Sequence, residues 1–444
     1  MTGAGAPVVM LASGTQGDVQ PFLALALGLR RAGIPSVIAA APRYRSLVEA
    51  RDIGFTALEG NPSDLMADSG SMAATLSSGA ANGILSTARF LRAAQSEYRR
   101  MLESAAAACK PARAILAGLS STWGFSIADA LGVPCVLCML QPFGRTRAVP
   151  SALLPMRVSL GNGYNALSHR IIEQAMWLPW RRITNAWRRH ILGLPSLPPA
   201  GPWKSMYASG FHCLYGFSPA VFPAPVDWPP AHVVTGYWFL EEEPDGTARP
   251  ALERFLSADS PPLYIGFGSM GTNHGRRVLR VVEAALALSG LRAVVSSGGN
   301  SRGLLPDHSP RMFFEEEVPH AWLFPRVRAV MHHGGAGTTA EGLRAGVPSL
   351  IYPGAADQYF WAERIARLGA GPHPVGRGDL TPAGLAKLFT AAATDREMRE
   401  RARRIGERIR AENGVTRAVE ELLPLLSGPR GNLRAPFPPA SSRE

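Results

Sequence analysis

The sequence predicts an α/β protein built of two doubly wound, Rossmann-like parallel-sheet domains, and three observations carry that prediction. Short runs that are apolar throughout, such as residues 7–12 and 263–267, alternate with longer stretches of helical spacing. This is the rhythm of β–α–β units whose strands are buried on both faces. The rhythm occurs twice, on either side of a polar stretch at 241–250 that contains proline and glycine. At 444 residues the chain also exceeds the size at which one hydrophobic core usually suffices.

In the first half, residues 7–12 read as a buried strand bounded by Gly-rich turns. Residues 21–31 then show helical spacing through Phe22, Leu25, Ala26 and Leu29, with Gly33 as the stop signal. Strands are expected at Ser36–Ala40, 114–116 and 133–139, and a helix at 86–107. Residues 150–230 differ: they are rich in Pro and in Trp (Trp177, Trp180, Trp187, Trp203, Trp228), and no strand alternation is visible. They read as an irregular insertion of helices and loops over the first sheet. The second half predicts strands at 263–267, 293–297, Met312–Glu315, 329–331 and 349–352. Residues 396–426 form one long amphipathic helical pattern with an Arg-rich face, and 428–444 are Pro- and Ser-rich and expected to be disordered.

Composition narrows the function classes. The net charge is +12, almost all of it arginine, since the lysines are Lys110, Lys204 and Lys387 alone. Such a bias commonly follows from coding composition, although a positive surface also attracts anionic ligands or a membrane face, so peripheral membrane contact stays open. No nucleic-acid reader motif accompanies the charge, so nucleic acid is not an expected partner. There is no run of eighteen apolar residues, and the first residues lack a charged n-region. Neither a membrane span nor a signal peptide is therefore expected, which makes the cytoplasm the expected location. Cys135 and Cys138 spell C-x-x-C, yet they sit in an apolar strand where alternation sends them to opposite faces. With no second pair to complete four ligands, they read as packing thiols. Glu315, Glu316 and Glu317 read as a solvated strand end rather than a metal site.

The most informative segment is 330–358. A strand end turns through His332-His333-Gly334-Gly335-Ala336-Gly337-Thr338-Thr339 into a helical pattern. A strand, a Gly-rich turn and a helix N-terminus make an anion site, because free N–H groups and the helix dipole point at one spot. His333 and Thr338 can add donors there, and His332 reads as structural. The segment closes on Asp357-Gln358, a carboxylate and a carboxamide suited to sugar hydroxyls. Phosphate at one end and a polyol at the other suggest a nucleotide sugar. Gly266-Phe267-Gly268-Ser269-Met270-Gly271 also satisfies G-x-G-x-x-G, but a dehydrogenase wants a carboxylate after the next strand. That strand ends in Ser296-Ser297-Gly298-Gly299.

The His332–Thr339 motif, followed by Ala345-Gly346-Val347-Pro348 and Asp357-Gln358, resembles the donor signature of inverting GT-B glycosyltransferases. It is closest to the group of sterol glucosyltransferases and bacterial natural-product glycosyltransferases. Ser13-Gly14-Thr15-Gln16-Gly17-Asp18-Val19-Gln20-Pro21, Thr235-Gly236-Tyr237-Trp238-Phe239, Ile265-Gly266-Phe267-Gly268-Ser269-Met270 and Val318-Pro319-His320-Ala321-Trp322-Leu323-Phe324 resemble further motifs of that family, in order. The resemblance implies an acceptor-binding domain at 1–240, a linker at 241–260, a donor-binding domain at 261–395, and helices at 396–427 that return to the first domain. It implies metal-independent transfer of a hexose from a UDP- or dTDP-sugar to a hydroxyl of a lipophilic acceptor, with no cofactor and no resident metal. Asp18 would be the general base, although a carboxylate there could also be only a helix N-cap. Ser269, His333, Thr338 and the backbone of Gly335, Ala336 and Gly337 would face the diphosphate. Val318 would contact the base, Glu341 the ribose, and Asp357 with Gln358 the sugar. Trp322 reads as core. The alternatives are an epimerase or hydrolase of the same fold, or a binding-only partner of a glycosyltransferase.

Overall fold

A computed structural model describes residues 5–60, 80–154, 159–241, 249–266, 272–296, 309–316, 318–354, 356–376 and 378–427, with the backbone alone for 80–92 and 272–276. Ser269, the strand end at 297–299, Glu317, residues 242–248 of the linker and the tail at 428–444 lie outside these residues.

The first unit runs β1 (Val8–Ala12), α1 (Gln16–Arg31), β2 (Ser36–Ala40), α2 (Arg45–Glu49), β3 (Gly54–Ala57), α3 (Ala80–Ala108), β4 (Ala114–Ala117), α4 (Gly124–Leu131) and β5 (Cys135–Met139). It continues through α5 (Asn162–Trp177), α6 (Arg181–His190) and α7 (Trp203–Ser209) to β6 (His212–Tyr215) and β7 (His232–Val234). Its seven parallel strands stand in the order β3-β2-β1-β4-β5-β6-β7. The second unit runs α8 (Pro250–Ser257), β8 (Leu263–Gly266), α9 (Thr272–Ser289), β9 (Ala293–Ser296), β10 (Met312–Glu315), α10 (His320–Leu323), β11 (Val330–His332), α11 (Ala336–Ala345), β12 (Ser349–Ile351), α12 (Gln358–Arg367) and α13 (Pro382–Thr394). Its parallel order is β10-β9-β8-β11-β12. Both sheets reverse direction beside their first strand, between β1 and β4 and between β8 and β11, and such a reversal opens a crevice at the strands' carboxyl ends.

Two parts of the sequence reading are corrected. The middle region is not free of strands, because β6 lies within it and β7 directly follows. Both are too short to show alternation, and Pro-rich loops flank them. Helix α1 also starts at Gln16 and not near Pro21, which sits inside it. The missing Pro21 N–H removes one intrahelical bond, and the helix is held instead by the burial of Val19, Phe22, Leu23 and Leu25.

The C-terminal pattern is two helices, α14 (Arg396–Arg410) and α15 (Gly414–Ser427). The break exists because the chain must pass closely over residue 236: a Cβ on Gly414 would lie 2.3 Å from the Tyr237 carbonyl oxygen. Beside it, Ser218 Oγ donates to Glu412 at 2.6 Å. Helix α15 lies on α1, with Ala418, Val419 and Leu422 sharing a core with Leu23 and Ala26. Cys138 belongs to that core, whereas Cys135 packs on the opposite face of the sheet with Trp123 and Ile127. All four thiols are free.

The α1–α15 contact gives a test of packing. A Cβ on Gly28 would lie 2.6 Å from Val415 Cγ1 and 3.0 Å from Val419 Cγ2. Gly28→Leu is therefore expected to destabilise the fold by about 1–3 kcal/mol through overpacking. The measurement is a urea midpoint, and an unchanged midpoint would show that α15 is loosely held.

Candidate active site

The carboxyl ends of β1, β4 and β5 line a small pocket. Leu11, Phe22, Leu119 and Leu140 give it apolar walls, and Ser13, Asp18, Ser120 and Gln141 give it polar groups. Asp18 is not the N-cap of α1. Thr15 is the cap and Asp18 the third helical residue, and its Oδ2 accepts from Thr15 N at 2.7 Å and from Thr15 Oγ1 at 3.1 Å. This reciprocal capping box ties the carboxylate to the helix start, and among the described residues Oδ1 has no partner. The close fit requires glycine at 14, where φ is 144° and a Cβ would stand 2.2 Å from Asp18 Oδ2. Asp18 keeps some exposed surface but lies deep in the cleft. That burial pushes its carboxyl above the ordinary range, against the lowering effect of both Thr15 bonds.

Across the cleft, β11 delivers His332 and His333 to the turn before α11. His332 is buried, and its Nδ1 accepts from Gly334 N at 3.0 Å, which holds the turn. Gly334 has φ 93°, and a Cβ there would meet Ile351 Cγ2 at 2.6 Å. Gly335 caps α11, so the amides of Ala336, Gly337 and Thr338 lie in its first turn. The His333 ring covers that helix end closely enough that a Cβ on Gly335 would lie 2.6 Å from Nε2. Burial lowers the pKa of His333, which favours its neutral form. His320, whose Nε2 pairs with Tyr264 Oη at 3.0 Å, is likewise held down to about 4, by burial and then by His333. Val318 is buried two residues before α10. Glu341 lies one turn from Arg344, at 4.0 Å, and Arg344 also reaches Glu241 at 2.8 Å. Trp322 is only partly buried, with Arg326 stacked on it at 4.5 Å.

Asp357 caps α12, directly after Ala356, which holds a left-handed φ of 49° that is uncommon for a residue with a Cβ. Its Oδ2 accepts from Trp361 Nε1 at 3.0 Å, while Gln358 Oε1 accepts from Gly354 N at 2.8 Å. The Asp357 carboxyl is raised to about 6. Desolvation is the main cause, opposed by the Trp361 bond and reinforced by the charge of Asp18. The two carboxylates therefore share one cleft, although they come from different sheets.

Comparison with known proteins agrees with this geometry. Residues 8–150 match the Glycosyltransferase family 28 N-terminal domain, and 295–425 match the Erythromycin biosynthesis protein CIII-like C-terminal domain. The chain folds as GT-B glycosyltransferases do. A sterol 3-beta-glucosyltransferase of Cryptococcus neoformans var. neoformans serotype D is 34% identical over 442 residues, covering 94% of this chain and 27% of the relative. The chain thus spans about a quarter of the length of the curated relatives it matches. The calicheamicin glycosyltransferase CalG4 shares the fold with a TM-score of 0.67 at 18% identity, over 95% of this chain and 98% of its own. The spinosyn rhamnosyltransferase SpnG, solved with thymidine diphosphate and with spinosyn aglycone, gives 0.62 and 0.61 at 18% identity, over 94% of this chain and 99% of its own.

Sequence reasoning did not single out several groups that the fold brings to the cleft. Ser120 and Gln141 follow β4 and β5, so polar residues just past apolar strands were the available signal. Tyr264 and Trp361 carried no local signal, because their importance comes from tertiary approach. Trp361→Phe keeps most of the packing and deletes the bond to Asp357. It is expected to raise the Asp357 pKa above about 6, read by carboxyl-carbon NMR of aspartate-labelled protein. An unmoved resonance would show that Trp361 does not hold the Asp357 carboxylate.

Proposed function

We propose that the enzyme transfers a hexose from a UDP- or dTDP-sugar to a hydroxyl of a lipophilic acceptor, with inversion at the anomeric carbon. The observation that carries this reading is the pairing of Asp18 and Asp357 across one cleft, each beside the groups that its task needs. Asp18 removes the proton from the acceptor hydroxyl as that oxygen attacks the anomeric carbon. The bond from that carbon to the diphosphate oxygen breaks on the opposite face, and the nucleoside diphosphate leaves with the electron pair. His333, Thr338 and the amides of Ala336 and Gly337 are suited to stabilising the growing negative charge, with no metal needed for that task. Gly335, as the cap, lets the His333 ring lie over this spot. Asp357 and Gln358 hold the sugar hydroxyls, Val318 lines the base side, and Glu341 and Ser269 are assigned to the ribose and diphosphate by family likeness. The apolar walls of the Asp18 cavity and the sterol-glucosylating relatives support a greasy acceptor.

Asp18→Asn is expected to slow transfer by about 10²–10⁴-fold, the usual span for a general base, while UDP or dTDP affinity measured by calorimetry stays within about twofold. Full transfer by this variant would sink the base assignment. Nucleotide release that is equally fast without any acceptor would identify a hydrolase instead.

The pH dependence has a defined sign. Both carboxyls are raised, so both lose charge at a higher pH than ordinary aspartates as acid is added. Nucleotide-sugar affinity is expected to fall as pH drops through about 6, where Asp357 is protonated and stops accepting two hydroxyls. Asp357→Asn should bind weakly and flatten that dependence. If wild type and Asp357→Asn share one pH profile, Asp357 does not hold the sugar.

A further inference from the structure

The outward face of α5 is apolar where a protein surface is ordinarily polar. Its inward side buries Asn165, Ser168, His169, Glu173 and Trp177. Outward stand Leu167 and Ile171, each 52% exposed, and Leu178 at the helix end, 56% exposed; Leu160, just before the helix, is 72% exposed. Spacings of four and seven residues put Leu167, Ile171 and Leu178 on one side of the helix. Five of the eight exposed large hydrophobic residues among the described residues fall within 160–191, so this is a patch and not a scatter.

Along this stretch of chain the charge has one sign. Between Asp129 and Asp227 the sole acid in the sequence is Glu173, and it is buried with both oxygens bound by Arg145. Arg170 on α5 and Arg182 on α6 are exposed, with Arg181 partly so. Leu178, Arg181 and Arg182 line one surface groove. Helix α5 is also tied to the chain that leaves the acceptor cavity, because Ser151 N donates to Ser168 Oγ at 2.9 Å and Asn165 Nδ2 donates to the Arg147 carbonyl at 2.9 Å.

We propose that the α5–α6 face docks this protein peripherally on an anionic lipid bilayer. Leu160, Leu167, Ile171 and Leu178 enter the acyl boundary, and Arg170, Arg181 and Arg182 meet lipid phosphates. Exposed leucines with flanking arginines and no exposed acid are the composition that holds a helix in such an interface. A second copy is a poorer occupant. A two-fold contact sets the same patch against itself, which would place arginine against arginine with no acid between them. The proposal is independent of the sugar-transfer reading, since no donor or acceptor is needed for docking.

The test is co-sedimentation of the full chain with phosphatidylcholine vesicles and with vesicles in which part of that lipid is replaced by phosphatidylglycerol, without nucleotide or acceptor. The expected result is binding at least about tenfold tighter to the anionic vesicles, weakened by salt. Leu167→Glu with Ile171→Glu, and separately Arg170→Glu with Arg182→Glu, should each lower that binding by at least about tenfold. Their thermal midpoints and UDP or dTDP affinity should not change. No preference for anionic vesicles, or variants that bind as wild type does, would overturn the proposal. So would a wild-type dimer in light scattering that Ile171→Glu converts to monomer. Loss of sugar transfer with vesicle binding intact would count against the transfer reading alone.

Discussion

The site depends on how α12 is seated against the loop that follows β6. Phe217 meets Trp361 edge-on at 6.0 Å between ring centroids, and Phe222 meets Phe360 in the same way at 5.3 Å. Arg364 lies over Phe222 and donates to the Val221 carbonyl. Phe217, Phe360 and Trp361 are essentially fully buried, and burying each such ring is worth roughly 1.5–3 kcal/mol. These contacts join the two sheets into one hydrophobic cluster. Because α12 begins next to Asp357, they also fix where that carboxylate stands relative to Asp18. Trp361 takes part in both, packing against the first unit through its ring and holding Asp357 through its N–H.

The same strand-order reversal is used twice and filled in opposite ways. In the first sheet it opens onto a carboxylate held by a capping box within a partly apolar cavity. In the second it opens onto a helix N-terminus covered by a histidine that burial keeps neutral. A neutral histidine suits that position, because a fixed positive charge in so dry a place would carry a large desolvation penalty. The helix end and an N–H donor supply attraction for an anion without it. In the proposed reaction, proton removal and leaving-group stabilisation would fall on opposite sides of the cleft, as backside displacement requires.

Much of this was legible because it is local. Buried parallel strands are apolar throughout, so β1, β2, β5 and β8 stood out, and the turn from His332 to Thr339 contains its own explanation in glycines and a helix start. What was not legible is set by tertiary approach. The 396–426 pattern is amphipathic from end to end, and nothing in it marks the close passage of Gly414 over Gly236 that divides it. Strands β6 and β7 are four and three residues long, below the length at which a period of two can be read. Asp18 was read at the entry to the first helix, but its place as the third helical residue, with Thr15 as the cap, depends on where the backbone starts the helix. The pairing of Asp18 with Asp357 could not be read at all, since it depends on how two sheets face each other.

That pairing has an energetic consequence. Moving the Asp357 carboxyl from its ordinary 3.8 to about 6 represents on the order of 3 kcal/mol between its two protonation states. Its folded-state value lies above the unfolded one, so the folded chain holds the proton more tightly. Fold stability therefore declines as pH rises from about 4 to 6 and stays reduced above that window. The ionised carboxylate is held in a dry site beside a like charge, with the Trp361 N–H as its one stabilising side-chain partner. Sugar hydroxyls donating to it would relieve this strain, whereas a nucleoside diphosphate without sugar would not. In the proposed reaction the site would therefore gain most, near neutral pH, from the part of the donor that is transferred, and after transfer the remaining nucleotide would no longer offer that relief.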